Sequence, residues 1–252
     1  MVRGARAAVV FLTRVPAGGF PYSGDEWRWA SGWFPLVGAA VGVLLSAVWW
    51  VAQPIGRLPA AVVVFALSIL LTGGLHEDGL ADTADALGGA TSRERIFEIL
   101  KDSRVGSFGA LALFLSLILR VALLAQLANG AVGALILSQS IARLPPVWLM
   151  AVLPYVTPES TAKSRAVARA SGAQIALASL LAAMIIAILS ATKLADPIDA
   201  VIAASVAGVG AAVAGYWFHR RAGGVTGDFL GATEQLGECL VLLALVSRRG
   251  AS

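Results

Sequence analysis

Cysteine is almost missing from this chain: Cys239 stands alone among 252 residues. No intrachain disulfide can form, and a lone cysteine inside a late apolar segment reads as a small buried hydrophobe. Charge is scarce too. Asp, Glu, Lys and Arg make up 13% of the residues, far below the roughly 25% of soluble domains. That excludes an ordinary soluble fold. The net charge of +4 gives no reason to invoke nucleic acid, because basic residues in a membrane protein mainly set orientation. No linker, low-complexity tract or internal repeat interrupts the chain, so residues 1–252 read as one integral membrane domain. Near the start, Arg3 and Arg6 precede a short apolar patch, which Arg14 and Pro16 end. No small-residue cleavage site follows, so this is an interfacial segment rather than a signal peptide.

What is present is hydrophobic length. Apolar residues make up 58% of the chain, and the mean hydropathy is +0.81. A span needs about 20 largely apolar residues. Such runs occupy 34–53, 60–71 continuing into a polar motif, 108–127, 131–152, 173–191, 200–218 and 229–246. The expectation is an all-α polytopic membrane bundle of about seven transmembrane segments. Between the second and third runs, Thr91 and Glu94 have capping-box spacing. They open a short helix with Ile96, Phe97 and Leu100 on its apolar face.

The chemistry concentrates where the second run ends, in Gly73-Gly-Leu-His-Glu-Asp-Gly-Leu-Ala-Asp-Thr-Ala-Asp85. Asp78, Asp82 and Asp85 stand at i, i+4 and i+7. On a helix they share one face, within about 60° of arc. Like charges so placed repel. A hard cation such as Mg²⁺ between them, its shell completed by phosphate and water, would relieve that repulsion. A solvated acidic turn between two spans is the alternative.

Basic residues test orientation. One side of the membrane receives Arg3, Arg6, Arg14, Arg28, Arg93, Arg95, Lys101, Arg104, Lys163, Arg165, Arg169, Arg220 and Arg221. The other receives Arg57, Lys193, Arg248 and Arg249. The first side is expected to be cytoplasmic; the tail arginines are the exception, and leave open whether the last run crosses fully. Three polar clusters then fall on the cytoplasmic face: the aspartates, Lys101-Asp102-Ser103-Arg104, and Arg220 with Asp228. They offer acids for a metal and bases for phosphate oxygens. Arg120, Arg143, Glu234 and Glu238 lie within apolar runs, so they are expected to face the bundle interior; for Glu234 and Glu238, one turn apart near the start of the last run, a place at the membrane interface is the alternative. Before any family is considered, His76 reads as a histidine bonded to a backbone carbonyl.

The motifs 72–85, 101–109 and 223–232, with Phe11-Leu-Thr-Arg-Val-Pro16 and Phe34-Pro-Leu-Val-Gly38, resemble the signatures of the cobalamin (5′-phosphate) synthase, or adenosylcobinamide-GDP ribazoletransferase, family. The likeness runs in order through nearly the whole chain. It implies a multi-pass enzyme of the cytoplasmic (inner) membrane acting late in cobalamin biosynthesis. It further implies that adenosylcobinamide-GDP is joined to α-ribazole or its 5′-phosphate, that GMP is released, and that Mg²⁺ is required. Carried over residue by residue, the family pattern falls on His76, Asp78, Asp82, Asp85, Asp102, Arg104, Arg220, Asp228 and Glu238. Glu77 departs from it where an apolar residue is usual, Ala86 replaces a common glycine, and Gln235 stands where a glutamate is common.

On that resemblance the roles divide. Asp78, Asp82 and Asp85 hold the metal. Asp85 or Asp228 takes the attacking hydroxyl's proton, with Asp85 preferred. His76, Lys101, Asp102, Arg104 and Arg220 contact substrate. The lipid bilayer is a partner, and a homo-oligomer or association with other biosynthetic enzymes stays open. The competing class is a multi-span transporter, which would need a midplane site and an inverted repeat.

Overall fold

The computed structural model describes residues 2–157, 167 and 170–250. Lys163, Arg165 and Arg169, assigned above to a basic loop, lie outside the described residues. Among the described residues the architecture is helical. In chain order the helices are α1 (Val2–Leu12), α2 (Gly24–Ala30), α3 (Phe34–Ala52), α4 (Arg57–Thr72), α5 (Leu75–Gly89) and α6 (Arg93–Ile99). There follow α7 (Ser107–Leu127), α8 (Ala131–Ile141), α9 (Leu144–Val152), α10 (Gly172–Ala191), α11 (Pro197–Ala222) and α12 (Gly227–Gly250).

Six stretches are long and apolar enough to cross a membrane, or seven if α4 and α5 together count as one broken span. The expectation of about seven therefore holds, with one change. The second apolar run does not continue straight into the aspartate motif. It breaks by 90° between α4 and α5. Gly73 and Gly74 both take left-handed backbone angles, φ +73° and +71°, which side chains with a Cβ rarely adopt. Two such residues in succession turn the chain sharply and start α5 in a new direction.

The centre of the bundle is a dry cluster from α3, α4, α7, α8 and α12, including Leu45, Phe65, Leu124, Leu135 and Leu242. Outward faces stay apolar as well: Leu111, Phe114 and Leu115 of α7 and Val209 and Val213 of α11 are exposed. In a bilayer these face lipid, and the helices satisfy their own backbone groups. The N-terminal segment does more than lie at an interface. Ala7, Ala8 and Leu12 of α1 are buried with Trp27 of α2 and Phe34 and Val37 of α3, so α1 is part of the bundle.

One boundary expectation needs correction. The cap of α6 is Ser92, whose side chain accepts from the Arg95 amide; Thr91 is one residue too early. With Ser92 as the cap, Ile96 is fully buried beside Leu87, Phe218 and Phe229. The last apolar run is long and apolar enough to cross. Arg248, near the end of α12, pairs with Asp199 in the first turn of the antiparallel α11 at 2.9 Å, so that arginine is neutralised where the two helices meet.

Candidate active site

The site is built where α5 crosses α12. Gly79 makes the crossing close: a Cβ there would stand 2.8 Å from the Asp228 carbonyl oxygen and 3.2 Å from the Gly231 Cα. Small residues at a membrane helix crossing let backbones approach in this way. A short parallel bridge, Val225 N to Pro154 O at 2.8 Å and Val156 N to Val225 O at 2.9 Å, pins the chain just before α12. Thr226 then accepts the Phe229 amide at 3.2 Å as a helix cap. Asp228 is thereby fixed in the first turn of α12, facing the aspartates of α5.

The three α5 aspartates occupy one face, as their spacing demands, but at different depths. Asp78 is exposed, Asp82 half-buried and Asp85 buried. Asp82 is within electrostatic reach of Asp78, Asp228 and Asp85, so four carboxylates share one neighbourhood. Among the described residues none of the four forms an ion pair with Lys or Arg. Asp85 is placed differently from the rest. Its Oδ2 accepts the Gly106 amide at 2.7 Å and its Oδ1 the Gly109 amide at 2.8 Å. Both oxygens are engaged in holding the N-terminus of α7 against α5.

Two hollows meet at this helix. A partly open one of about 250 Å³ has Phe11, Phe34, Met150 and Leu230 on its walls, with His76, Asp78, Arg143, Asp228 and Glu234 supplying the polar groups. A more open one of about 530 Å³ is bordered by Arg14, Gly73, Gly74, Glu77, Asp78 and Val105. Phe11, Leu75 and Asp78 belong to both. His76 is 5% exposed, and its Nδ1 lies 3.6 Å from Glu234 Oε2. The polar group beside it is thus a carboxylate just beyond hydrogen-bond length, not the backbone carbonyl anticipated from sequence.

Other expected residues are not brought onto these walls. Asp102 and Arg104 are paired with each other at 2.6 Å on an exposed loop. The Arg104 hydrogen bonds hold the Asp102 carboxyl down to about 2. Lys101 is exposed in the same loop. Arg220 is exposed on α11 and donates to the Tyr216 hydroxyl at 3.2 Å. Conversely, Arg14, Phe11 and Arg143 border the hollows without having been singled out as site residues. Arg14 lay inside a quoted motif, and Arg143 was recognised only as an interior charge.

Beneath the site lies an ionic core. Arg120 pairs with Glu238 at 2.9 Å and with Glu77 at 3.3 Å, and Arg143 pairs with Glu234 at 2.9 Å. Gln139 joins the halves, donating to Glu238 and accepting from Arg143 at 2.9 Å. The interior placement expected for Arg120, Arg143, Glu234 and Glu238 holds. Glu77, a departure from the family pattern, has its partner here.

Comparison with known proteins follows the same lines. The family description "Cobalamin-5-phosphate synthase" matches residues 4–246. The chain belongs to the cobalamin-5-phosphate synthase family. Its relatives include the adenosylcobinamide-GDP ribazoletransferase of Polaromonas sp., 40% identical over 97% of this chain and 96% of that protein. Those of Shewanella amazonensis and Leptothrix cholodnii are 38% and 39% identical, covering 95% and 94% of this chain and 93% and 92% of theirs. No solved structure matches.

The carboxylate donors of this family member suit Mg²⁺ chemically: they are hard oxygen donors, and among the described residues no Lys or Arg pairs with them. Among the described residues no three His, Cys, Asp or Glu side chains stand ready around one point. Mg²⁺ does not require that. It is commonly held by one or two carboxylates, with substrate phosphate and water completing the octahedron.

Proposed function

We propose that the protein is a Mg²⁺-dependent phosphotransferase of the cytoplasmic membrane, with its active site facing the cytoplasm. It joins adenosylcobinamide-GDP to α-ribazole or α-ribazole 5′-phosphate and releases GMP. The observation that carries this reading is Asp78 at the boundary of two hollows, the smaller partly open and the larger more open, amid carboxylates that have no cationic partner among the described residues. Such a site suits two substrates meeting over one charged wall. The printed activity of the relatives supports the same reading.

The ribose 3′-hydroxyl of the acceptor attacks the phosphorus attached to the corrinoid's aminopropanol arm. A phosphorus–oxygen bond forms, the bond to the bridging oxygen breaks, and GMP carries away the electron pair. Asp78 and Asp82 would hold Mg²⁺, which when bound neutralises the diphosphate and its developing charge. Asp228 takes the hydroxyl proton. It replaces Asp85 in that role, because both Asp85 oxygens hold amides. Arg14 faces the open hollow and offers a guanidinium to phosphate oxygens. The chain's main contribution is alignment and preorganised charge. A transporter reading would draw on the intramembrane charges, but these are spent on one another in the ionic core.

The test is reconstitution in lipid with adenosylcobinamide-GDP and α-ribazole 5′-phosphate, with Mg²⁺ or with EDTA. Product and GMP formed in equal amounts, only with Mg²⁺, is the expected result. Corrinoid binding without any GMP release from folded protein overturns it.

A further inference from the structure

The smaller cavity has two kinds of wall. One is apolar and flat: the rings of Phe11 and Phe34 stack at 5.8 Å with 9° between their planes, and Met150 and Leu230 continue that surface. The other is the end of the ionic core, Arg143 with Glu234, and His76 beside them. Arg143 and Glu234 are at most 2% exposed. Among the described residues, Glu234 Oε1 is met by the Arg143 guanidinium at 2.9 Å, whereas Arg143 Nε has no hydrogen-bond partner. Buried polar atoms are normally satisfied, so this N–H on a cavity wall calls for an acceptor brought by a ligand. The volume of about 250 Å³ falls below the ~300 Å³ at which drug-sized sites begin. It accommodates a single bicyclic ring, and the rest of a larger ligand would lie outside its mouth.

We propose that this cavity is the subsite for the aromatic base of the acceptor nucleoside. The base is a flat, mainly apolar bicyclic heteroaromatic whose ring nitrogen meets the Arg143, Glu234 and His76 wall. Its ribose then lies toward Asp78 and Asp228, where the hydroxyl reacts. This rests on the ribazole-transfer reading above. The guanine of the departing nucleotide is the poorer occupant. Its donor edge wants a free carboxylate, but Glu234 is engaged by Arg143 and by Gln235, whose amide donates to Oε2 at 3.1 Å. Arg143 and Glu234 are positioning residues here, and Met150 and Leu230 set the size of the base admitted.

The experiment uses full-length protein in lipid nanodiscs, comparing wild type with Met150→Trp and the milder Leu230→Phe. Steady-state kinetics are read for each substrate, and direct binding is read with benzimidazole as probe. Filling the cavity is expected to raise the acceptor KM by about tenfold or more. The KM of the nucleotide-linked corrinoid should stay within about twofold, and benzimidazole binding should weaken in parallel. An unchanged acceptor KM in a folded variant, or a rise confined to the corrinoid substrate, overturns the proposal. If wild type binds benzimidazole and Met150→Trp does not, yet wild type forms no product, the transfer reading fails while the base subsite stands. Absence of both binding and turnover in wild type ends both.

Discussion

Two regions of this molecule hold the same kind of side chain in opposite circumstances. In the ionic core, Glu77, Glu234 and Glu238 are met by Arg120 and Arg143 at 2.9–3.3 Å. At the crossing of α5 and α12, Asp78, Asp82 and Asp228 are half-buried or exposed and have no cationic partner among the described residues. Compensation makes the first set structural: charges buried at this depth are tolerated only when paired. The second set, without such partners among the described residues, is suited to a cation, because like charges held close are costly until something positive relieves them. Acid content alone does not separate the two; the neighbours do.

Breaking the uncompensated side should give the largest functional effect. Asp82→Ala is expected to lower turnover on the order of 10³-fold, with melting temperature unchanged or raised because a repulsive charge is gone. Near-wild-type turnover in folded protein would remove Asp82 from the site. Breaking the compensated side should do the reverse. Arg120→Ala leaves Glu77 and Glu238 buried without their guanidinium and should cost about 3–5 kcal/mol, seen as a lower thermal midpoint in detergent. Turnover measured well below that midpoint should fall far less than in Asp82→Ala.

Asp85 sits on the border between the two regions and sharpens the contrast. As the acceptor of two α7 amides it resembles a helix cap, so Asp85→Ala should destabilise by about 1–2 kcal/mol. A chemical-denaturation series would read that loss, and an Asp85→Asn variant that keeps one acceptor should recover part of it. The smallest effect belongs to Asp102. Its carboxyl sits below the ordinary 3.8, at about 2, through hydrogen bonds from Arg104. A group whose folded value is depressed favours the folded state above its unfolded value, and that contribution is lost as pH falls from near 4 toward 2. Between pH 5 and 8 the pair should be silent, and a carboxylate NMR titration of Asp102 would show its midpoint near 2.

Much of the fold could be read in advance because hydrophobic length is a local property. The run at 131–152 became a helical span at those same limits, and the run at 108–127 one that starts a single residue earlier. The shared face of Asp78, Asp82 and Asp85 also followed from helical spacing alone. The depth gradient along that face did not, since it depends on what α7 and α12 lay over it. The 101–104 cluster and Arg220 seemed bound for the same pocket because they share a side of the membrane. Sharing a side restricts a residue to a plane, whereas a site requires convergence within a few ångströms.

The sequence by itself determined that this is a multi-span helical membrane protein with its acids gathered on one helical face, because burial in lipid and the 3.6-residue repeat act within each segment. Only the tertiary structure decided which charges neutralise one another. Arg120 reaches Glu238 across 118 residues of chain, and Asp228 reaches Asp82 only because Gly79 and Gly231 let two helices touch. Contacts of that kind depend on how whole helices pack, and no spacing within one helix encodes them.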